Sequence, residues 1–228
     1  MKRNPDIPFT YNYSQPEEYH FSLDSIEMPW EVVRHLKERI REDSLLKKQS
    51  PSDFLKNSMR RWKILDLCAG CGVLGFELNF HLPQIQNIDF VEVQDIYQIH
   101  FEVNQAKVQN MGEFRFLHLN YDQLLVSEFE KKYQLILCNP PYFKIEQGKH
   151  SPSEFKNRCR FFIDSTFDKL VEVIDHTLAD DGEAFLLLRT LEEHGFDLLS
   201  ELKTLTKGKL KVENLTMVRG TFLLKVYR

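Results

Sequence analysis

Residues 64–75 read Ile-Leu-Asp-Leu-Cys-Ala-Gly-Cys-Gly-Val-Leu-Gly, an apolar strand that runs through a glycine turn into a helix start. Gly70, Gly72 and Gly75 satisfy the pattern G-x-G-x-x-G. Glycine there lets the backbone turn sharply and come close to a ligand. A strand that feeds a helix in this way needs a crossover to a parallel neighbour, so the turn commits the chain to βαβ architecture. The rest of the sequence agrees. Strand-like runs at 63–67, 88–93, 114–119, 134–138 and 184–188 alternate with helix-like stretches near 73–82, 95–110, 122–131 and 164–178. A further helix is expected near 190–204. Two final runs, 211–217 and 221–227, flank Val218-Arg219-Gly220 and read as an antiparallel hairpin. The expected fold is therefore α/β: a Rossmann-like, seven-stranded, mostly parallel sheet with helices on both faces and a C-terminal antiparallel hairpin.

Ahead of this unit, residues 1–60 read as an N-terminal extension whose helices pack on the core, leaving 61–228 as the main domain. Pro29 suits a first helical turn, and Trp30, Val33, Leu36 and Ile40 follow at helical spacing. The stretch 43–60 is polar, and Ser52 or Asp53 can cap a short helix in it.

The turn suits two cofactor classes, dinucleotides and S-adenosylmethionine. Glu92 lies 20 residues beyond Gly72, at the end of the next strand, where a carboxylate can accept both hydroxyls of a ribose. Asp66 separates the two classes. It sits beside the turn, where it opposes a pyrophosphate but tolerates or attracts an ammonium and a sulfonium. The balance of charge favours S-adenosylmethionine. Asn120, after the third strand, is expected to meet the cofactor's adenine, and Asp122 to cap the next helix. Asp24 is expected either near the methionine end of the cofactor or as a cap.

Asn139-Pro140-Pro141-Tyr142 follows the apolar strand that ends at Cys138. Two prolines forbid further ladder pairing and give a stiff turn. The Asn139 side-chain oxygen and the Pro140 carbonyl can accept the hydrogens of a planar amino group. Tyr142 can stack on the ring that carries it, and Phe143 can line the same recess. Together with a methyl donor, that arrangement suits N-methylation.

Cys68 and Cys71 form a C-x-x-C, but no second ligand pair accompanies it, so small residues in a tight loop are expected instead of a metal site. His81, His100, His118, His150 and His194 show no ligand spacing. The net charge of −4 argues against a general polyanion binder. Local cation excess in 31–63 and in the C-terminal segment nevertheless leaves RNA phosphate contact open. Phe161-Phe162 follow Arg158 and Arg160 and could face RNA, but burial is the expected state. No apolar run approaches the roughly 18 residues of a membrane span, and Met1 to Tyr13 carries no signal-peptide core. A cytoplasmic protein without a membrane partner is expected, with a monomer favoured.

On these residues the chain resembles the class I S-adenosylmethionine-dependent methyltransferases. Asp66-Leu67-Cys68-Ala69-Gly70-Cys71-Gly72 resembles their first motif, which implies that Asp66, Cys68, Ala69, Gly70 and Gly72 contact the cofactor. Glu92 resembles their ribose acid. Asn139 to Tyr142 resembles the [Asp/Asn]-Pro-Pro-Tyr signature of amino-methylating enzymes. Tyr19 to Ser25, Glu92-Val93-Gln94 with Asn104, and Arg160-Phe161 resemble stretches of the bacterial tRNA adenine-N6 methyltransferases. Two features depart from that pattern: the polar 43–60 stretch, and Asn120 where an acid is commoner. The resemblance implies N6-adenine methylation of RNA, with tRNA favoured. Protein glutamine-N5 methylation is the alternative, and a dinucleotide-dependent oxidoreductase or a binding module with a degenerate loop ranks behind both.

Overall fold

A computed structural model describes residues 12–47, 59–109, 112–146, 149–191 and 196–228. Strands β1 (Lys63–Leu67), β2 (Asn87–Glu92), β3 (Glu113–His118), β4 (Tyr133–Cys138) and β5 (Leu178–Leu188) are joined by a two-residue pair, β6 (Thr190–Leu191) and β7 (Phe196–Asp197), to β8 (Lys211–Val218) and β9 (Thr221–Tyr227). The helices are α1 (Asp24–Lys47), α2 (Val73–His81), α3 (Ile96–Gln105), α4 (Glu154–Arg160), α5 (Phe167–Thr177) and α6 (Leu198–Leu205). Seven strands form one sheet in the order β3-β2-β1-β4-β5-β9-β8. Pairings from β3 through β5 are parallel, and β9 is antiparallel to both of its neighbours. The turn between β8 and β9 uses positive φ at Arg219 (50°) and Gly220 (84°), the backbone a tight two-residue hairpin needs. The expected sheet and closing hairpin are both present.

Alternate residues of each central strand enter different cores. Ile64, Leu135, Leu137, Phe185 and Leu187 face α1, α2 and α3, while Leu65, Leu67, Ile136, Leu186 and Val226 face α5 and α6. A sheet covered on both sides explains why the strands read as unbroken apolar runs.

Several elements differ from the sequence expectation. Helix α1 begins at Asp24, five residues before Pro29, because the Leu23 carbonyl accepts from the Ile26 and Glu27 amides and two acids fill the first turn. Pro29 thus lies inside the helix, where it cannot donate to the Ser25 carbonyl. Trp30 stays 38% exposed, and Met28 and Val32 fill the core beside Val33, Leu36 and Ile40. The expected helix at 122–131 is two 3-10 turns, Tyr121–Leu124 and Ser127–Phe129, separated at Val126 by extended backbone. Helix α6 starts only at Leu198, where Asp197 caps it by accepting from the Ser200 amide. Helix α4, absent from the sequence expectation, is capped by Ser153. The proposed caps Ser52 and Asp53 lie outside the described residues.

The turn from β1 into α2 is held from below. Asp66, fully buried, accepts the Gly75 amide at 2.9 Å through Oδ2, while its Oδ1 has no partner. A Cβ on Gly75 would stand 2.4 Å from the Phe90 ring of β2. Gly75→Ala should therefore push α2 off the sheet and cost about 1–3 kcal/mol, read as a lower urea midpoint at an unchanged slope. Burial raises the Asp66 carboxyl well above its ordinary value, so the fold favours the neutral acid. That contribution is complete below the ordinary carboxylate range and is lost as pH rises through the folded value. Asp66→Asn has no proton to lose. The stability of wild type relative to this variant should fall as pH rises from the ordinary carboxylate range through the raised folded value, measured by urea unfolding. A difference that is flat or grows would contradict the assignment.

Candidate active site

Strand order reverses between β1 and β4, and at such a switch point the loops leaving the carboxyl ends diverge and open a crevice. Here they bound a cavity of about 810 Å³. Cys68, Ala69 and Gly70 line it from the β1 loop, Glu92 from the end of β2, Asn120 from the end of β3, and Asn139 to Phe143 from the end of β4. Asp24, at the start of α1, closes another side. Five separate chain segments therefore bring the expected site residues to one cavity. Asp66 and Gly72 are not among the lining residues; they act beneath the loop, as the bond to Gly75 and the positive φ of Gly72 (85°) indicate.

The β1 loop is strained as well as glycine-rich. Cys68 takes φ 62° and Gly70 φ 53°, so the loop crosses the left-handed region at a non-glycine residue too. Glu92 holds it in place. Its Oε2 accepts the Gly70 amide and its Oε1 accepts the Gln94 amide, each at 2.9 Å. Burial raises the Glu92 carboxyl above its ordinary value, and these two amides offset part of that shift. Each oxygen keeps a lone pair for a further donor.

A hydrogen bond to Cys138 and burial push the Cys68 thiol well up, and burial pushes Cys71 to about 12. These cysteines are therefore neutral packing groups at ordinary pH. All four cysteines are free, and among the described residues no cluster of His, Cys, Asp and Glu is arranged to hold a metal ion. His194 lies outside the described residues.

Asn139 is already engaged on both sides. Its Nδ2 donates to Ser25 Oγ at 3.2 Å, and its Oδ1 accepts the Tyr142 hydroxyl at 2.6 Å. Burial, then the nearby Asp24, raises the Tyr142 phenol, so it stays a donor. The backbone amides of Tyr142 and Phe143 both donate to the Arg160 carbonyl, which ties the turn to the end of α4. Phe161 and Phe162 are buried, as expected. Asp24 has its carboxyl raised by burial, with Arg219 3.6 Å away pulling it back.

The roles expected of Asn120 and Asp122 are exchanged in part. Asn120 caps the 3-10 turn, with Oδ1 accepting the Asp122 amide, while its Nδ2 donates to the Asp164 carbonyl at 2.7 Å. Asp122 instead accepts the Ser165 hydroxyl at 2.5 Å. Asn120 lines the cavity with its side chain committed to the protein, because a carboxamide offers both the acceptor a cap needs and a donor for the facing loop.

Other residues line the cavity as well. Tyr19 and Phe21, which belong to the Tyr19 to Ser25 stretch of the sequence resemblance, arrive with Gln15 from the N-terminal strap, while Gln15, Arg189 at the end of β5 and Arg219 in the β8–β9 turn carry no local sequence signal. The strap is fixed by Asn104, which accepts the Ser14 amide at 2.6 Å and donates to the carbonyls of Ser14 and Cys71. Only the fold places Ser14 beside the β1 loop.

Residues 50–159 match the methyltransferase small domain family. A Shewanella protein (strain W3-18-1) named tRNA1(Val) (adenine(37)-N6)-methyltransferase is 30% identical over 141 residues, covering 61% of this chain and 58% of that protein. A Neisseria meningitidis protein named ribosomal protein uL3 glutamine methyltransferase is 27% identical over 129 residues, covering 52% of this chain and 40% of its own length. The match thus spans about half the length of these relatives. Among solved structures, a precorrin-6y C5,15-methyltransferase from Geobacter metallireducens superposes with a TM-score of 0.56 at 9% identity, covering 95% of this chain and 94% of that one. Residues 50–159 are thus similar to the methyltransferase small domain, and the sheet as a whole shares its fold with a solved methyltransferase.

Proposed function

We propose that this protein transfers a methyl group from S-adenosylmethionine to the exocyclic N6 amine of an adenosine in RNA, with tRNA the favoured species. The observation that carries the reading is the meeting of Asn139-Pro140-Pro141-Tyr142 and Glu92 in one cavity. The site fits this cofactor better than a dinucleotide. The Gly75 amide near the start of α2, a group that helix N-termini offer to phosphates, is taken by Asp66. Glu92 has acceptor capacity left for a ribose diol, Ala69 and Gly70 bring backbone close, and Asp24 offers a carboxyl to an ammonium.

When bound, the cofactor supplies an electrophilic methyl group. The protein's task is then to aim a nitrogen lone pair at it. An aryl amine is a weak nucleophile because its lone pair is delocalised into the ring. Acceptance of its hydrogens by Asn139 Oδ1 and the Pro140 carbonyl turns that pair outward and stabilises positive charge developing on nitrogen. The second lone pair of Asn139 Oδ1 is available beside the Tyr142 hydroxyl. Tyr142 and Phe143 supply the apolar walls that hold a splayed base, and fixing both reactants in line supplies much of the rate. No strong base is required, since the proton leaves readily once nitrogen is alkylated.

Charge at the mouth favours RNA. Among the described residues, Arg160 and Arg189 line the cavity without a carboxylate partner, and Lys149 and Lys156 sit unpaired on the adjoining loop and helix. In the two basic stretches of the sequence, Arg34 pairs with Glu31, Arg39 with Glu183, Lys225 with Glu213 and Arg228 with Asp175. The similarity to a uL3 glutamine methyltransferase supports a second reading, methylation of a protein carboxamide, whose planar amino group suits the same two acceptors.

Incubation with labelled S-adenosylmethionine, unmodified tRNA and a protein extract separates the two. Label in N6-methyladenosine is expected; label in protein would transfer the assignment to glutamine. Asn139→Ala should abolish transfer while cofactor affinity by calorimetry stays within about tenfold, or roughly 1.4 kcal/mol. Glu92→Gln should do the reverse at the binding step. It turns an amide donor toward a backbone N–H and should weaken cofactor binding by about 10–100-fold, the value of one or two charged hydrogen bonds. Equal affinity in that variant would remove Glu92 from the cofactor site.

A further inference from the structure

Beside the Asn-Pro-Pro-Tyr turn, and touching Phe143, lies a pair of stacked rings that the proposed transfer does not use. The His150 imidazole lies flat on Phe161, with centroids 4.6 Å apart and planes 6° from parallel. Phe161 in turn meets Phe143, the residue after the turn, at 5.7 Å. The Arg160 guanidinium stands over both, 5.7 Å from the Phe143 ring and 5.5 Å from the Phe161 ring. Phe161 is buried and Phe143 half-buried, but His150 is exposed, and its outer face meets no other ring among the described residues.

The exposed ring is held firmly for a loop residue. His150 Nε2 donates to the Ile145 carbonyl at 2.9 Å. The next residue, Ser151, is clamped by Asn157, which accepts its amide at 2.7 Å and returns a bond to its carbonyl at 2.8 Å. A flat ring backed by a buried ring, with its outer face to solvent, loses little freedom when a second flat group settles on it. Two cations lie near it, neither in an ion pair among the described residues: Lys149 adjoins it in sequence, and Arg160 stands 5.5 Å from the Phe161 ring on which it stacks. This combination of aromatic face and positive rim is what single-stranded nucleic acid recognises, because every base has a π-face and every linkage a charge.

We propose that His150 is a second nucleobase site, taking a base adjacent to the methylated one in single-stranded RNA. The methylated base enters the cavity against Tyr142 and Phe143, and its neighbour is unstacked in the process. The His150–Phe161 stack, joined to Phe143 by a ring contact tilted at 43°, replaces the stacking that the neighbour loses. This site rests on the RNA reading above.

The test measures binding and transfer together. A fluorescein-labelled short single-stranded oligoadenylate is titrated with wild type, His150→Ala and His150→Phe, and the same titration is repeated with an abasic residue next to the central adenosine. His150→Ala should weaken binding to the intact oligonucleotide by about tenfold, within the range of one base–aromatic stack. His150→Phe should restore it, and the abasic oligonucleotide should bind wild type and His150→Ala alike. Label transfer by wild type with unchanged binding in His150→Ala overturns the second base site and leaves the RNA reading standing. Loss in both variants assigns His150 to the loop through its Ile145 bond and also overturns the proposal. Wild type that neither binds nor methylates the oligonucleotide or tRNA overturns both readings.

Discussion

The contact on which the rest of the site depends is fully buried and lies outside the cavity lining. Asp66 takes the Gly75 amide, and Gly75 lies so close to Phe90 that no side chain fits between helix and sheet. With α2 held that near, the five residues from Cys68 to Gly72 must reverse direction in very little space. Positive φ at Cys68, Gly70 and Gly72 is the consequence. The curled loop then directs the Gly70 amide at Glu92, which lies at the same sheet end because β2 runs parallel to β1 in register. One close approach therefore fixes a loop, an amide and an acid.

The opposite wall of the cavity follows a different logic. The prolines of the β4 turn carry no amide hydrogens, so the turn borrows its restraints from elsewhere: Ser25 from α1, and the Arg160 carbonyl from the end of α4. Asn139 is thereby oriented before any substrate arrives, which lowers the entropy cost of placing it. The Tyr142 hydroxyl keeps its oxygen from lying buried and unpaired.

Much of this was legible in the sequence because periodicity and turn chemistry are local. Five parallel strands, the closing hairpin, the β1 turn and the Asn-Pro-Pro-Tyr turn all announce themselves within a few residues. What escaped was set by partners distant in sequence. Nothing near Asn120 shows that its amide will strap the Asp164 loop, and nothing near Asn104 shows that it will join Ser14 to Cys71. Helix α4 was hidden because its seven residues include none that is fully buried, so it carries no apolar stripe. Helix α1 begins ahead of the expected start: Pro29 dominates a local reading, although an acidic first turn already precedes it. Asp66 is expected from its place beside the turn to face the cofactor's positive groups, whereas the partner the fold gives it is a backbone amide beneath the loop.

Strand order also dictates the timetable by which the chain can assemble. β5 presents the apolar run Ala184 to Leu188, and its outer edge is completed only by β9, the last strand of the sheet in chain order. As the polypeptide emerges from the ribosome, that edge remains uncovered until residues 221–227 have followed. Until then it is an open, hydrophobic template for another chain, the kind of exposed edge that promotes aggregation. Slow translation across 189–220 would prolong the exposure, and a chaperone that shields β5 in that interval would protect the protein at its most vulnerable stage.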